Sequence, residues 1–145
     1  MSTWGDKTLL DQAGLPVPRP SELSRPHWEG CKNGKLLVQQ CQSCGGYVFT
    51  PEVACTHCLG DQLHWVASSG RGTVYSYTVV YRPQRPEFAT PYVAAIIELS
   101  EGWHMLSNIM CCEPEEVFIG MAVQVEFVSR GTDVVLPMFR PSPGE

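Results

Sequence analysis

The chain has 145 residues, 43% of them hydrophobic and 17% charged, with a net charge of −5. That length allows one ordinary domain or two very small ones, and the apolar share suits a globular protein with a core. The acidic balance argues against a general attraction to phosphate backbones, and so against nucleic acid as a partner.

The 13 glycines and 12 prolines favour short strands and turns over long helices. The opening stretch, MSTWGDKTLLDQ, is polar and has no apolar segment of secretory length. The longest apolar run, Val93 to Ile97, is far too short to cross a bilayer. A cytoplasmic protein without a membrane partner is expected, and in that compartment paired cysteines serve metals more often than disulfides.

Residues 1–20 read as an arm. Leu15-Pro16-Val17-Pro18-Arg19-Pro20 alternates proline with other residues, which favours an extended conformation that wanders or lies along a partner. Residues 21–35 hold a short helix: Ser24 is placed to cap it, Pro26 fits its first turn and Gly34 can end it. Cys31 lies three residues after Trp28 and is expected to be a small buried side chain on the same face.

Residues 36–66 form a cysteine-rich unit, led into by a strand near 35–40. Its centre reads CQSCGGYVFTPEVACTHC. Cys41 and Cys44 form one Cys-x-x-Cys pair, Cys55 and Cys58 a second. Two residues between cysteines let a tight turn aim both sulfurs at one point, and two such turns supply a tetrahedral set of thiolates. Zn²⁺ is the expected ion, with iron on the same ligands as the alternative. Four thiolates and one divalent ion would add a further −2 to the net charge. Four sulfurs close the shell, so the site is expected to be structural, standing in for the core that about thirty residues cannot build. The loop 45–54 has room for a hairpin, with 47–49 as one strand. Leu59 stands where the first pair has Gly45, which makes the second turn look less regular. His57 should point away from the metal, and His64 is not needed as a ligand.

Residues 67–141 change character. GTVYSYTVVY, YVAAIIEL, WHMLSNIM, MAVQVEFVS and VVLPMF read as five strands. Between the third and fourth, EPEEVFIG reads as a short helix, with Pro114 early, acids in its first turn and Gly120 closing it. Five strands with a helix in that place is the order of an OB-fold barrel. The fold class expected is therefore mainly β: an N-terminal helix, a four-cysteine zinc ribbon and a C-terminal five-stranded OB barrel.

Catalytic groupings are scarce. His27, His57, His64 and His104 are scattered, and His104 is expected on the barrel wall. Cys111-Cys112 is expected to pack, the other reading being a reactive thiol at the N-terminus of the following helix. No phosphate loop or serine-hydrolase elbow occurs.

HWEGCKNGKL, the two cysteine pairs, SGRGTVYSYTVVYR, PYVAAIIEL, IGMAVQVEF and PMFRP together resemble one family, the OB-fold proteins with a rubredoxin-like zinc ribbon once carried as a domain of unknown function. The resemblance spans Ser21 to Pro141. It departs at His27, where the family often has Phe, and in the long arm. It implies a non-catalytic accessory subunit that binds a thiolase-like acyl-CoA enzyme, such as a lipid-transfer-protein-like aldolase of steroid side-chain degradation, and helps to form its acyl-CoA site. Some relatives are fused to a hydratase subunit.

Under that reading the contact residues are sought in the loop between the first two barrel strands, at Tyr81, Arg82, Arg85, Phe88 and Tyr92. Pro83, Pro86 and Pro91 pre-organise this loop, and Arg82 and Arg85 could meet CoA phosphates or acids on a partner. The alternative function is single-stranded nucleic-acid binding, with Tyr75, Tyr77, Tyr81 or Trp103 as stacking platforms. The few arginines make no evident basic groove for it.

Overall fold

A computed structural model describes residues 14–143. Helix α1 (Arg25–Lys32) begins at Ser24, but the Ser24 side chain does not cap it. Its Oγ instead accepts the Ser21 N–H at 2.9 Å, while Ser21 Oγ accepts the Ser24 N–H at 3.1 Å. The two serines stabilise the turn ahead of the helix, a local bond competing with the cap. Cys31 is 1% exposed, as its spacing suggested.

Strand β1 (Leu36–Cys41) is central in a three-stranded antiparallel sheet, flanked by β2 (Tyr47–Val48) and β3 (Leu63–Ser68). β3 pairs with β1 along its whole length, from Leu36↔Ser68 to Cys41↔Leu63. β2 pairs only with Gln39 and Gln40. The hairpin expected within 45–54 does not form. The first cysteine turn is itself the hairpin, and the following loop is held by a side chain: buried Gln39 donates from Nε2 to the Glu52 carbonyl at 3.0 Å and accepts the Glu52 N–H at 2.8 Å. One amide thus satisfies both backbone groups that a second strand would have paired.

Five strands close a barrel: β4 (Arg71–Val80), β5 (Tyr92–Leu99), β6 (His104–Ile109), β7 (Ala122–Arg130) and β8 (Val134–Pro141), in the order β4-β5-β6-β8-β7. The helix expected between β6 and β7 is a single 3₁₀ turn, Pro114–Glu116. Val117 leaves that turn extended to reach the core, and Gly120 donates its N–H to the Val74 carbonyl at 2.8 Å. Pairing with β4 takes the residues that a longer helix would have used.

Ribbon and barrel share one core. Leu36 and Val38 of β1 pack in the same buried cluster as Val74, Ile97, Leu99 and Phe139, with Phe49 and Val66 at its edge. Trp103 also lies in this cluster, 4% exposed, so it cannot serve as a stacking platform. A smaller cluster, Cys41, Val48 and Cys55 with Leu63 against it, surrounds the cysteines. Glu101, in the β5–β6 turn, ties the end of β3 to the barrel: its carboxylate accepts the Ser68 hydroxyl at 2.7 Å and the Ser69 N–H at 2.8 Å. Burial raises the Glu101 pKa, but these bonds outweigh it and the carboxyl sits below its ordinary value.

His27 is buried where α1 meets β1. Its ring lies 4.9 Å from the Trp28 ring and 5.5 Å from that of Phe49, with Nε2 3.8 Å from Cys31 Sγ. Burial lowers its pKa from the ordinary 6.5, against the Leu37 carbonyl, which raises it. A histidine depressed in the folded state is neutral there while the unfolded chain protonates. Its stabilising contribution is therefore present above pH 6.5 and is lost as pH falls below it. Replacing it by Phe keeps the ring contacts and removes the titration. Between pH 7.5 and 6.0, with the metal retained, the Tm of His27→Phe should fall less than that of the parent chain. Parallel curves would refute the assignment.

Candidate metal centre and docking surfaces

The two cysteine turns are near copies of each other. In the first, the Gly45 N–H donates to the Cys41 carbonyl at 2.8 Å, the Cys41 N–H to Gly46 at 2.9 Å, and the Gly46 N–H to Cys44 Sγ at 3.4 Å. In the second, the Leu59 N–H donates to the Cys55 carbonyl at 2.9 Å, the Cys55 N–H to Gly60 at 2.7 Å, and the Gly60 N–H to Cys58 Sγ at 3.4 Å. The turn with Leu59 is therefore as regular as the first, contrary to its look in sequence. Leu59 takes the same left-handed backbone, φ +64 against +76 at Gly45, with its side chain 82% exposed. A left-handed non-glycine residue costs about 1 kcal/mol, and glycine returns roughly half of that as lost chain entropy. Leu59→Gly should therefore stabilise the ribbon by about 0.5 kcal/mol, read as a small rise in Tm. A fall in Tm would show that Leu59 makes a compensating contact.

These turns bring Cys41, Cys44, Cys55 and Cys58 together, with all four sulfurs within 4.8 Å of one another. Cys41 Sγ lies 3.7 Å from Cys58 Sγ, and Cys44 Sγ 3.6 Å from Cys55 Sγ. An ion about 2.3 Å from each of four tetrahedral sulfurs would set them about 3.8 Å apart. The cluster thus fits a structural metal ion, and all four positions are sulfur. Cys41 and Cys55 are buried, whereas Cys44 and Cys58 face solvent. The Cys44 backbone N–H draws the Cys41 thiol down to about 6. The Gly60 N–H pulls the Cys58 thiol down, but Cys41, burial, and then Cys44 and Cys55 outweigh it and raise the thiol to about 11. Without a cation the four sulfurs cannot all carry charge at neutral pH, which is the electrostatic reason the cage calls for one. His57 points away from the sulfurs and meets the Tyr47 carbonyl at 2.8 Å, as expected.

The loop from Tyr81 to Tyr92 is folded on itself. The Tyr92 hydroxyl donates to Gln84 Oε1 at 2.8 Å, and the Phe88 and Tyr92 rings lie 5.9 Å apart. Arg85 Nε is paired with Glu87 at 3.4 Å, so its charge is answered within the loop. Arg82 is exposed and makes no ion pair among the described residues, and Tyr81 is 68% exposed. The five loop residues do not form one cluster: Phe88 and Tyr92 line a cavity of about 640 Å³ together with Leu15, Ile109, Arg130 and Met138. The described part of the arm lies against this barrel rather than away from it. The Pro16 carbonyl accepts Arg130 Nη1 at 3.0 Å. Residues 1–13 of the arm lie outside the described residues.

Several exposed apolar residues were not legible from sequence. Leu106 is 72% exposed, Ile119 61%, Phe118 58% and Tyr75 57%. Leu106 had a signal: in β6, His104, Leu106 and Asn108 share a face, and that face is outward. His104 is on the barrel wall as expected, with Nε2 3.2 Å from Glu98 and its ring 4.7 Å from that of Tyr75. Cys111 is exposed at φ +65 and its thiol is 3.5 Å from Glu126. Burial, then Glu116, push the Cys112 thiol upward, and the turn that follows has only three residues. The reactive-thiol reading of this pair, which needed a helix dipole to lower a pKa, therefore fails for Cys112.

No helix among the described residues is long and apolar enough to cross a membrane.

Comparison with known proteins matches the two halves of the chain to one family. The model described as "ChsH2, rubredoxin-like zinc ribbon domain" matches residues 28–64, and "ChsH2, C-terminal OB-fold domain" matches residues 65–128. A probable enoyl-CoA hydratase alpha subunit of Thermomonospora curvata is 35% identical over 127 residues, which is 86% of this chain but 40% of that protein. This chain therefore spans well under half the length of that relative. A DUF35 domain-containing scaffold protein of Methanocaldococcus jannaschii is 38% identical over 103 residues, covering 69% of this chain and 73% of that one. Among solved structures, the Ltp2-ChsH2(DUF35) aldolase matches with a TM-score of 0.78 and 33% identity, over 86% of this chain and 98% of that chain.

Proposed function

The chain belongs to the ChsH2 (DUF35) family of zinc-ribbon and OB-fold proteins, and we propose that it is a non-catalytic subunit that binds a thiolase-like acyl-CoA enzyme and helps to form that enzyme's acyl-CoA site. The match to a chain of an aldolase complex over 98% of its length makes a retro-aldolase the first partner to test. The observation that carries the reading is a set of exposed apolar side chains on the barrel, Tyr75 in β4, Leu106 in β6, and Phe118 and Ile119 in the connection between β6 and β7. Tyr75, Leu106, Phe118 and Ile119 are each more than half exposed, a surface that a partner would cover. In this reading Zn²⁺ is held by Cys41, Cys44, Cys55 and Cys58 and sets the ribbon's shape. The arm (1–20), helix (21–35), ribbon (36–66) and barrel (67–141) act as one docking body in the cytoplasm. Tyr81 and Arg82 are the loop residues still free to meet the partner or CoA phosphate, whereas Arg85 would first have to leave Glu87.

The test is reconstitution. The tagged chain, expressed in its native host, should bring down a thiolase-like chain identified by peptide mass spectrometry. That partner, prepared without this chain, should lose solubility or acyl-CoA turnover and regain it on mixing. A partner fully active alone, or thioester turnover by this chain in isolation, overturns the proposal. Metal analysis on the same sample should give one zinc per chain and no visible absorption band; a red protein would mean iron.

A further inference from the structure

We propose that the outer edge of β4, from Tyr75 to Val80, receives an extended segment of the thiolase-like partner as an added strand; this rests on the subunit reading above. β4 pairs with β5 from Gly72↔Leu99 to Val80↔Tyr92. On its other side it pairs with β7 only from Arg71 to Thr73. The last bonds on that side belong to Val74, whose N–H donates to Met121 at 3.0 Å and whose carbonyl accepts Gly120 N–H at 2.8 Å. From Tyr75 onward, no backbone group on that edge has a hydrogen-bond partner among the described residues.

The ladder identifies which groups are open. Val74 faces away from β5. A register shift between Val74 and Ser76 inserts Tyr75 as an extra residue, after which Ser76 is paired with Ile96. Ser76, Thr78 and Val80 then turn toward β5, and Tyr77 and Val79 turn their N–H and C=O groups outward.

Stable folds commonly blunt such an edge with charge or proline. The stretch Tyr75-Ser76-Tyr77-Thr78-Val79-Val80 has neither, and its residues favour extended structure. Tyr75, Ser76, Tyr77 and Thr78 are all exposed, where a strand inside a barrel wall would bury alternate side chains. Phe118 and Ile119 are exposed just ahead of Gly120, where the open edge begins. Main-chain donors and acceptors at strand spacing are matched by another extended main chain.

Charge favours a partner over a second copy. Arg82 follows the edge, exposed and without an ion pair among the described residues, in a chain of net charge −5. An antiparallel second copy centred on the open stretch would set Arg71 of one copy within two positions of Arg82 of the other, and the two acidic chains would repel overall. An incoming strand with a carboxylate at that end would instead pair with Arg82. The occupant is therefore a short extended segment, apolar along its length and acidic at one end.

The experiment uses the full-length chain with the co-purified thiolase-like protein. Amide exchange at Tyr77 and Val79 should slow about 100-fold or more in the complex relative to the chain alone. Tyr77→Pro removes one outward N–H at an edge that tolerates proline, whereas Tyr77→Ala removes only the side chain. The proline variant should bind about tenfold more weakly than the alanine variant, the value of one lost hydrogen bond, with both keeping the parent Tm. An intact complex with unprotected amides, or equal binding by the two variants, overturns the added strand and leaves the subunit reading standing. Protection of the same amides in the chain alone at high concentration, or by a single-stranded oligothymidine, overturns it in favour of self-association or nucleic acid. Failure to recover any thiolase-like chain overturns both proposals. Should Tyr77→Pro misfold, exchange in the unaltered chain decides.

Discussion

Removing the metal by chelation, or one of its ligands by Cys44→Ser, should unfold the ribbon and lower the stability of the barrel with it. Structural zinc sites contribute on the order of 10–16 kcal/mol of apparent binding energy at neutral pH, more than a domain's whole margin of stability. The ribbon has little to replace it: among the described residues, the core around the cysteines is Cys41, Val48 and Cys55 with Leu63 against them. The damage should not stop there, because Leu36 and Val38 of β1 lie in the barrel's own core at 2% and 0% exposure. When β1 leaves, the barrel loses that cover over Val74, Ile97, Leu99 and Phe139, which share its buried cluster. The measurement is a thermal melt with metal analysis, together with amide exchange across residues 36–68. Loss of metal should make those amides exchange freely and bring the barrel melt down by about 10 °C or more. A Cys44→Ser chain that retains its metal and its parent Tm would refute the metal assignment.

That coupling was not legible in the sequence, and the reason is physical. Cysteine spacing is a local constraint, so two Cys-x-x-Cys turns announce a cage before any fold is known. Alternation is local as well: YVAAIIEL reads as a strand, and β5 runs from Tyr92 to Leu99. What Leu36 and Val38 pack against depends on residues thirty to a hundred positions away, and local pattern carries no trace of it. The same holds for the buried ring of His27, whose neighbour Phe49 comes from the far side of the first cysteine turn. The stretch EPEEVFIG failed in the opposite sense. Its local signals for a helix are real, but pairing of Gly120 and Met121 with Val74 outweighs them.

The candidate docking surface shows the same division. Tyr81 and Arg82 were visible as loop residues, and the structure leaves both exposed. Phe118 and Ile119 read in sequence as part of an ordinary helix, whose apolar residues are usually core. Only the finished barrel shows that they face out. The open edge of β4 was even less accessible, because it exists where β7 stops pairing rather than through any feature of β4 itself. Of the four candidate stacking platforms for bases, Tyr75, Tyr77 and Tyr81 are exposed and Trp103 is in the core.

Gly72→Ala should be among the most damaging single changes outside the metal cage. Gly72 sits in β4 between β5 and β7, paired with Leu99 on one side and Val123 on the other. A Cβ at this position would stand 2.2 Å from the Glu98 carbonyl oxygen and 3.0 Å from Leu99 Cα. Ordinary contact between such atoms begins well above 3 Å. Both obstacles are backbone, so no side chain can swing aside. β4 and β5 would have to separate at the point where the barrel closes, breaking ladder bonds on each side. The loss expected is about 3 kcal/mol or more, at the upper end of what overpacking costs, because the backbone on both sides cannot give way. A melt should show a fall of about 10 °C or more, or no soluble chain at all. Ser76→Ala, an exposed change on the same strand, should stay within about 0.5 kcal/mol of the parent. If Gly72→Ala melts with the parent, the close approach of β4 to β5 is wrong. Gly72 also pairs with Val123 of β7, two residues before the last bonds on that side at Val74, so any Gly72→Ala chain that does fold should also present Tyr77 and Val79 differently and bind the thiolase-like protein less tightly than the parent chain.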